Sequence, residues 1–340
     1  MESEEVPAPL SYVVPLRWNE DSGLDELTDY LRWLAERCQV VVVDGSPLPL
    51  FARHARRWPG RVTHLRVHVV PGARNGKVAG VCAGVLAAAH DRVVVADDDV
   101  RYDDHALRRI RQVLDGADLV VPQNYFTALP WHARWDTART LLNRAFGSDY
   151  PGTLGVRRAV FLGMGGYRDD VLFENLELVR TVRAAGGRVV HVPDLFVGRV
   201  PPTTRHFRSQ RVRQAYDSLA QPPRLCAELA VLPALVAAVL RRRSARTAGA
   251  LAVAGILLAE WGRRRRHGTR VYPASTVAFA PLWIAERAAC AWIAVAQRVL
   301  LGGVRYHGER LPTAAHSTRW LRRHKAAPIA STPAGRRAVT

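Results

Sequence analysis

Short valine-rich runs recur through the first half of the chain, each closed by polar residues or glycine, and apolar residues return at helical spacing between them. Strand-like runs fall at residues 11–16, 40–43, 62–69, 92–96 and 119–121, and helical patterns at 24–36, 50–57, 78–89 and 105–114. This alternation predicts an α/β protein. Right-handed crossovers would gather the strands into one mostly parallel sheet with helices on both faces. From Asn124 to Trp135 aromatic residues crowd together, either as a wall for a ring-shaped or lipid-like group or as an ordinary aromatic core. A helical stretch to Phe146, a strand-like segment at 152–156, a helix start at Arg157, a helix over 173–185 and a strand over 188–192 complete the globular part.

From residue 225 the pattern becomes nearly continuous. Residues 225–240 are apolar except Glu228, 247–262 except Glu260, and 273–301 are broken mainly by Glu286-Arg287. Crossing a bilayer takes about 20 helical residues, so the first two stretches are marginal. Arginine clusters follow both, and the two ends of one crossing cannot both be cytoplasmic. The expectation is that 225–240 lies in the interface while 247–262 or 273–301 spans or re-enters. A buried helical bundle in a soluble protein is the alternative. The domain reading is a tail at 1–9, a globular domain at 10–222, an apolar membrane-associated region at 223–305 and a basic, largely disordered tail at 306–340.

Charge sharpens this division. The net charge is +19, yet residues 1–200 carry 25 basic and 25 acidic side chains while 201–340 carry 24 and 5. Basic clusters flanking apolar stretches point to an anionic membrane surface. Without interleaved aromatics or a recognisable binding module they do not point to nucleic acid. Four widely spaced cysteines make neither a zinc motif nor a disulfide framework and fit a reducing compartment. The acidic N-terminus lacks the apolar core of a secretory signal, so residues 1–200 are expected in the cytosol.

Asp97-Asp98-Asp99 follows the run Val93-Val94-Val95-Ala96, at the carboxyl end of a buried strand where open α/β sheets bind ligands. Three adjacent carboxylates repel one another unless a cation or solvent relieves them, and oxygen ligands suit Mg²⁺ or Mn²⁺ bridging to phosphates. A solvated acidic turn is the alternative, weakened because Asp103 is better placed to cap the helix near His105. Asp44 also ends a strand and precedes Gly45-Ser46; it could accept hydrogen bonds from a base or ribose, or serve only as a turn residue. Asn75-Gly76-Lys77 opens a helix whose free N–H groups favour a phosphate. Lys77 is one of two lysines against 47 arginines.

Val13-Val14-Pro15, Val43-Asp44-Gly45-Ser46, Gly76-Lys77 with Gly84, Asp97-Asp98-Asp99 and Gly165-Gly166-Tyr167, in this order, resemble the family-2 glycosyltransferases with a GT-A fold, over about residues 10–220. The apolar C-terminal region is more loosely similar to that of membrane-bound members resembling ceramide or hopanoid-type lipid glucosyltransferases. The resemblance implies that Pro15 and Asp44 border a nucleotide base and that Lys77 lies near the phosphates. Asp97 would face the ribose or donor sugar, Asp99 would hold Mg²⁺ or Mn²⁺, and Asp98 would point away. Gly165, Gly166 and Tyr167 would line the acceptor side.

Two positions depart from the family pattern. The usual Glu-Asp pair, whose aspartate acts as base, reads Glu174-Asn175, and an amide takes no proton at neutral pH. Glu174 becomes the expected base unless it only complements its helix dipole; Glu177, Asp169 and Asp170 stand nearby. Gln210-Arg211-Val212-Arg213-Gln214 is similar to the family's Gln-x-x-Arg-Trp motif with glutamine in place of tryptophan. Gln210 and Arg213 would meet the donor diphosphate, although such a helix could simply lie on anionic headgroups. The expected activity is inverting transfer from a nucleotide-diphosphate sugar to a lipid-linked or membrane-presented hydroxyl, on the cytoplasmic face of the cell (inner) membrane. A polyprenyl-phosphate glycosyltransferase and a non-catalytic membrane protein retaining the fold are the alternatives.

Overall fold

The computed structural model describes residues 9–58, 60–67, 74–306 and 309–329. Its first half runs β1 (Ser11–Leu16), α1 (Leu24–Ala35), β2 (Gln39–Asp44), α2 (Leu48–Arg57), β3 (Val62–Arg66), α3 (Gly76–Ala87), β4 (Arg92–Ala96), β5 (Val100–Arg101), α4 (Asp104–Leu114), β6 (Leu119–Phe126) and α5 (Trp131–Phe146). Next come β7 (Thr153–Arg157), α6 (Arg158–Gly163), α7 (Glu174–Ala184), β8 (Val189–Arg199), α8 (Thr204–Ser209) and α9 (Arg211–Tyr216). The last part holds α10 (Pro222–Leu240), α11 (Ser244–Arg264), α12 (Ala280–Leu300), β9 (Val304–Tyr306), β10 (Glu309–Leu311) and α13 (Thr318–Arg323).

Eight strands form one sheet in the order β3-β2-β1-β4-β7-β6-β8-β5. The β3-β2-β1-β4 half is parallel; β7 runs antiparallel to β4 and β6, β8 is parallel to β6, and β5 is antiparallel to β8. Alternate residues of the valine runs bury on opposite faces: Tyr12, Val14, Val40, Val42 and Val94 pack with α1 and α4, Val13, Val41, Val43, Val93 and Val95 with α3, α6 and α7. Burial on both faces is why these strands read as unbroken apolar runs. Gly84 lets α3 approach the sheet, since a Cβ there would collide with Val13. Asp103 caps α4, accepting from the Ala106 N–H at 2.7 Å. Of the expected strand over 62–69, Val62–Arg66 is a strand, and residues 68 and 69 lie outside the described residues. Strand β8 extends well past residue 192, because pairing with β6 resumes after an irregularity and carries Phe196–Arg199 to the sheet's carboxyl edge.

The C-terminal region is not a separate layer. Helix α11 packs on α5, where a Cβ at Gly262 would strike the Leu141 backbone, and α12 buries Cys290 and Ala294 beside Tyr216, Tyr306 and Leu311. Pro222–Leu240 and Ala274–Leu300 are long and apolar enough to cross a membrane, by length and composition alone. The expected disorder of 306–340 does not hold for residues 309–329. Glu177 accepts from the His316 backbone N–H (2.7 Å) and faces its Nδ1 (2.9 Å), Trp320 stacks between His316 and His324, and the Ile329 N–H bonds the Leu162 carbonyl at 2.9 Å. Composition suggested disorder because these anchors are scattered singly and find partners only on the folded surface. Residues 1–8 and 330–340 lie outside the described residues.

Candidate active site

A cleft of about 430 Å³ opens at the carboxyl ends of β1, β2 and β4. The aspartate triplet leaves β4 in a turn held by the Asp97 N–H on the Gly152 carbonyl (2.8 Å) and the Val100 N–H on the Asp97 carbonyl (3.1 Å). A Cβ at Gly152 would come within 2.7 Å of Asp97 Oδ2, so glycine lets the carboxylate lie against this turn. Lys77 Nζ lies 2.5 Å from both Asp97 Oδ1 and Glu174 Oε1, tying β4 to the start of α7. Burial works against the Lys77 ammonium, but Asp97 and Glu174 outweigh it and raise its pKa.

Arg199, delivered by the extension of β8, donates from Nε to Asp99 Oδ2 at 2.8 Å and stands 3.7 Å from Asp97 Oδ2. Asp99 Oδ1 is buried without a hydrogen-bond partner. Burial pushes the Asp99 carboxyl up to about 6, opposed by Arg199 and reinforced by Asp97 and Asp98. A carboxylate with an unsatisfied buried oxygen has room for one more positive partner, so Asp99 fits a hard divalent ion. Asp98 has its carboxylate on the Trp18 indole N–H and its carbonyl on Arg101.

Pro15, Lys77, Asp97, Asp99, Glu174, Gln210 and Arg213 all line this one cleft. Gln210 Oε1 accepts from Arg213 (3.3 Å), whose guanidinium lies over the Tyr306 ring. Arg211 is instead held by Asp136 through two contacts of 2.8 and 3.1 Å. Of the carboxylates expected as base, Glu174 alone faces the cleft. Glu177 is buried against His316, Asp169 accepts the Arg74 N–H, and Asp170 pairs with Arg168. Asn175 donates to the Pro151 carbonyl at 3.0 Å.

Two expectations need correction. Asp44 does not border the cleft: it is fully buried, with His54 Nδ1 at 2.6 Å, His64 Nε2 at 3.1 Å and the Ser46 N–H at 2.8 Å on its carboxylate. Burial opposes its ionisation, but His64, Ser46 and His54 prevail and hold it at about 2. Two histidines on Oδ2 and the Ser46 N–H on Oδ1 thus occupy the oxygens expected to meet a base, an outcome invisible when His54 and His64 are read separately in α2 and β3. Gly165, Gly166 and Tyr167 do not line the cleft either. Gly165 and Gly166 do take left-handed backbone (φ +79° and +72°), but 326–329 lies on them, and a Cβ on Gly165 would clash with Ala326 and Ala327.

The sequence reading missed Arg199, Asp217 and Tyr306, all lining the cleft. Asp217 is pushed up to about 7 by burial, with Arg213 opposing and Glu174 adding to the rise. An Asp three residues beyond a partial motif, and a Tyr expected in a disordered tail, carry no local signal; only the short apolar run Leu195-Phe196-Val197 after Asp194 hinted at Arg199.

The family model for glycosyltransferase-like family 2 matches residues 39–217, more than half of the 340. The chain belongs to this family. This glycosyltransferase matches no curated protein sequence. Among solved structures, mannosyltransferase PcManGT from Pyrobaculum calidifontis, in complex with GDP-Man and Mn²⁺, is similar with a TM-score of 0.51 at 19% identity, covering 83% of this chain and 86% of that one. Glucosyl-3-phosphoglycerate synthase from Mycobacterium tuberculosis, in complex with Mn²⁺, UDP and glucosyl-3-phosphoglycerate, has a TM-score of 0.40 at 17% identity, covering 58% and 74%. S. aureus TarS 1–349 in complex with UDP-GlcNAc has 0.41 at 14%, covering 59% and 61%. At 19% identity the likeness to PcManGT concerns the fold alone.

Proposed function

We propose that this glycosyltransferase moves a sugar from a nucleotide-diphosphate sugar to a hydroxyl presented by a lipid at the membrane, with inversion and with Mg²⁺ or Mn²⁺. The observation that carries the reading is the Asp99–Asp97–Lys77–Glu174 chain, in which an incomplete cation site and a carboxylate are held on one cleft by a shared ammonium. Asp99 would hold the ion, which supplies positive charge to the departing diphosphate, and Asp97 would face the ribose or donor sugar. Lys77 and Arg213 would orient the diphosphate, Arg213 from its place beside Gln210. The acceptor oxygen would bond the anomeric carbon as that carbon's bond to the diphosphate breaks, and the acceptor proton would pass to Glu174. Attack from the face opposite the leaving group inverts the anomeric centre. The location we favour is the cytoplasmic face of the cell (inner) membrane, supported by the apolar helices and the basic C-terminal region.

Asn175 favours a second reading, a polyprenyl phosphate as acceptor, because an anionic nucleophile needs no base. Purified enzyme with Mn²⁺ and a panel of nucleotide sugars and lipid acceptors tests both readings by nucleoside-diphosphate release and the configuration of the product. Turnover abolished by Asp99→Asn is expected; turnover on no donor would overturn the enzyme reading. Loss of activity in Glu174→Gln marks a hydroxyl acceptor, whereas full activity on a lipid phosphate marks the second reading.

A further inference from the structure

We infer that α10, α11 and α12 seat the enzyme on one anionic membrane leaflet without crossing it, with the α10–α11 hairpin along the surface. For its meaning in catalysis this rests on the membrane-presented acceptor proposed above. The exposed sides of these helices carry Leu240 (80% exposed), Leu257 (64%), Trp261 (60%), Ile293 (46%) and Leu300 (78%). Bulky apolar groups repeated over three neighbouring helices mark a surface that is covered in use.

The opposite sides of α11 and α12 are committed to the catalytic domain. Helix α11 buries Gly255, Ala259 and Gly262, the last against the α5 backbone. In α12, Glu286 accepts from the Trp135 indole at 2.7 Å and lies 3.5 Å from Arg211, while Arg287 is buried. A helix whose central charged residues are held inside the globular domain cannot have lipid all round it.

Length decides the hairpin. With α11 docked from Gly255 onward, only residues 244–254 extend freely, about 16 Å of helix against a hydrocarbon core of about 30 Å. Pointed into the bilayer, the hairpin would leave Arg241, Arg242, Arg243 and Arg246 near its middle, where arginine is strongly disfavoured. Laid along the surface, these exposed arginines at one end and Arg264 at the other meet headgroups while the apolar side enters the leaflet. Charge complementarity thus selects an anionic leaflet over a second copy of this strongly basic chain.

Cysteine accessibility tests the seating in the full-length enzyme. Cys226, near the start of α10, is exposed, and Ser244 stands at the hairpin turn. A membrane-impermeant maleimide applied to right-side-out or inside-out vesicles should label native Cys226, and Ser244→Cys in a Cys226→Ser background, from the same side. Labelling from opposite sides would overturn the inference in favour of a crossing hairpin. Purified enzyme should also float with phosphatidylglycerol vesicles and not with phosphatidylcholine alone, and replacing Arg241, Arg242 and Arg243 by glutamine should weaken binding by roughly tenfold or more. Flotation with neither, together with dimers in solution, would make the patch a protein interface and overturn the inference. Surface binding by an enzyme that glycosylates only soluble acceptors would instead sink the acceptor reading and leave the seating intact.

Discussion

Replacing Lys77 by methionine keeps the length of the side chain and removes the cation shared by Asp97 and Glu174. The ammonium sits 2.5 Å from each carboxylate, in a wall where the three side chains are 23%, 19% and 11% exposed. Breaking a buried pair costs about 3–5 kcal/mol, and the partial solvent access here reduces the expectation to roughly 2–3 kcal/mol. With the cation gone, the two carboxylates lose the partner that joins β4 to the start of α7, so kcat/KM should fall together with stability. Because the Lys77 pKa is raised on folding, its contribution to stability is present throughout neutral pH. It fades only as pH climbs above the unfolded value of about 10.4. The measurements are Mn²⁺-dependent nucleoside-diphosphate release from pH 5 to 9 and thermal unfolding, with Lys77→Arg as the charge-conserving control. Wild-type Tm and wild-type kcat/KM in Lys77→Met would refute a coupled Asp97–Lys77–Glu174 unit.

Three further predictions come from other parts of the molecule. Asp99, with its carboxyl pushed up to about 6 by burial, costs stability as pH rises from about 4 to 6, and Asp99→Asn should abolish any rise of Tm with Mn²⁺; an unchanged metal response would count against Asp99 as a ligand. Asp44, held at about 2, contributes stability above about pH 4 that is lost as pH falls toward 2; His54→Ala should lower stability by about 3 kcal/mol, measured by urea unfolding at pH 7, and wild-type stability there would show that the buried contacts are dispensable. Gly262→Ala forces a methyl group into the α5 backbone and should cost about 1–3 kcal/mol in unfolding experiments in detergent; full stability would refute the α11–α5 contact.

Much of this enzyme was legible because its signals are local. The valine runs, the cap at Asp103 and the carboxylates ending β4 depend on neighbours within a few residues, so periodicity and spacing were enough to predict a parallel core and a polar edge. Whether a polar side chain faces ligand or another part of the chain is different, because only long-range packing decides it. Asp44 and Asp97 both end valine strands, yet one is enclosed by His54 and His64 while the other faces the cleft with Lys77 and Arg199. The same cause put Gly165 under the C-terminal segment, brought Tyr306 from an expected tail to the cleft, and let Glu174 rather than Glu177 reach it. The sequence by itself determined where strands end and acidic groups gather. The tertiary structure decided which of those groups remain unsatisfied, because a buried carboxylate is defined by partners that lie tens of residues away along the chain.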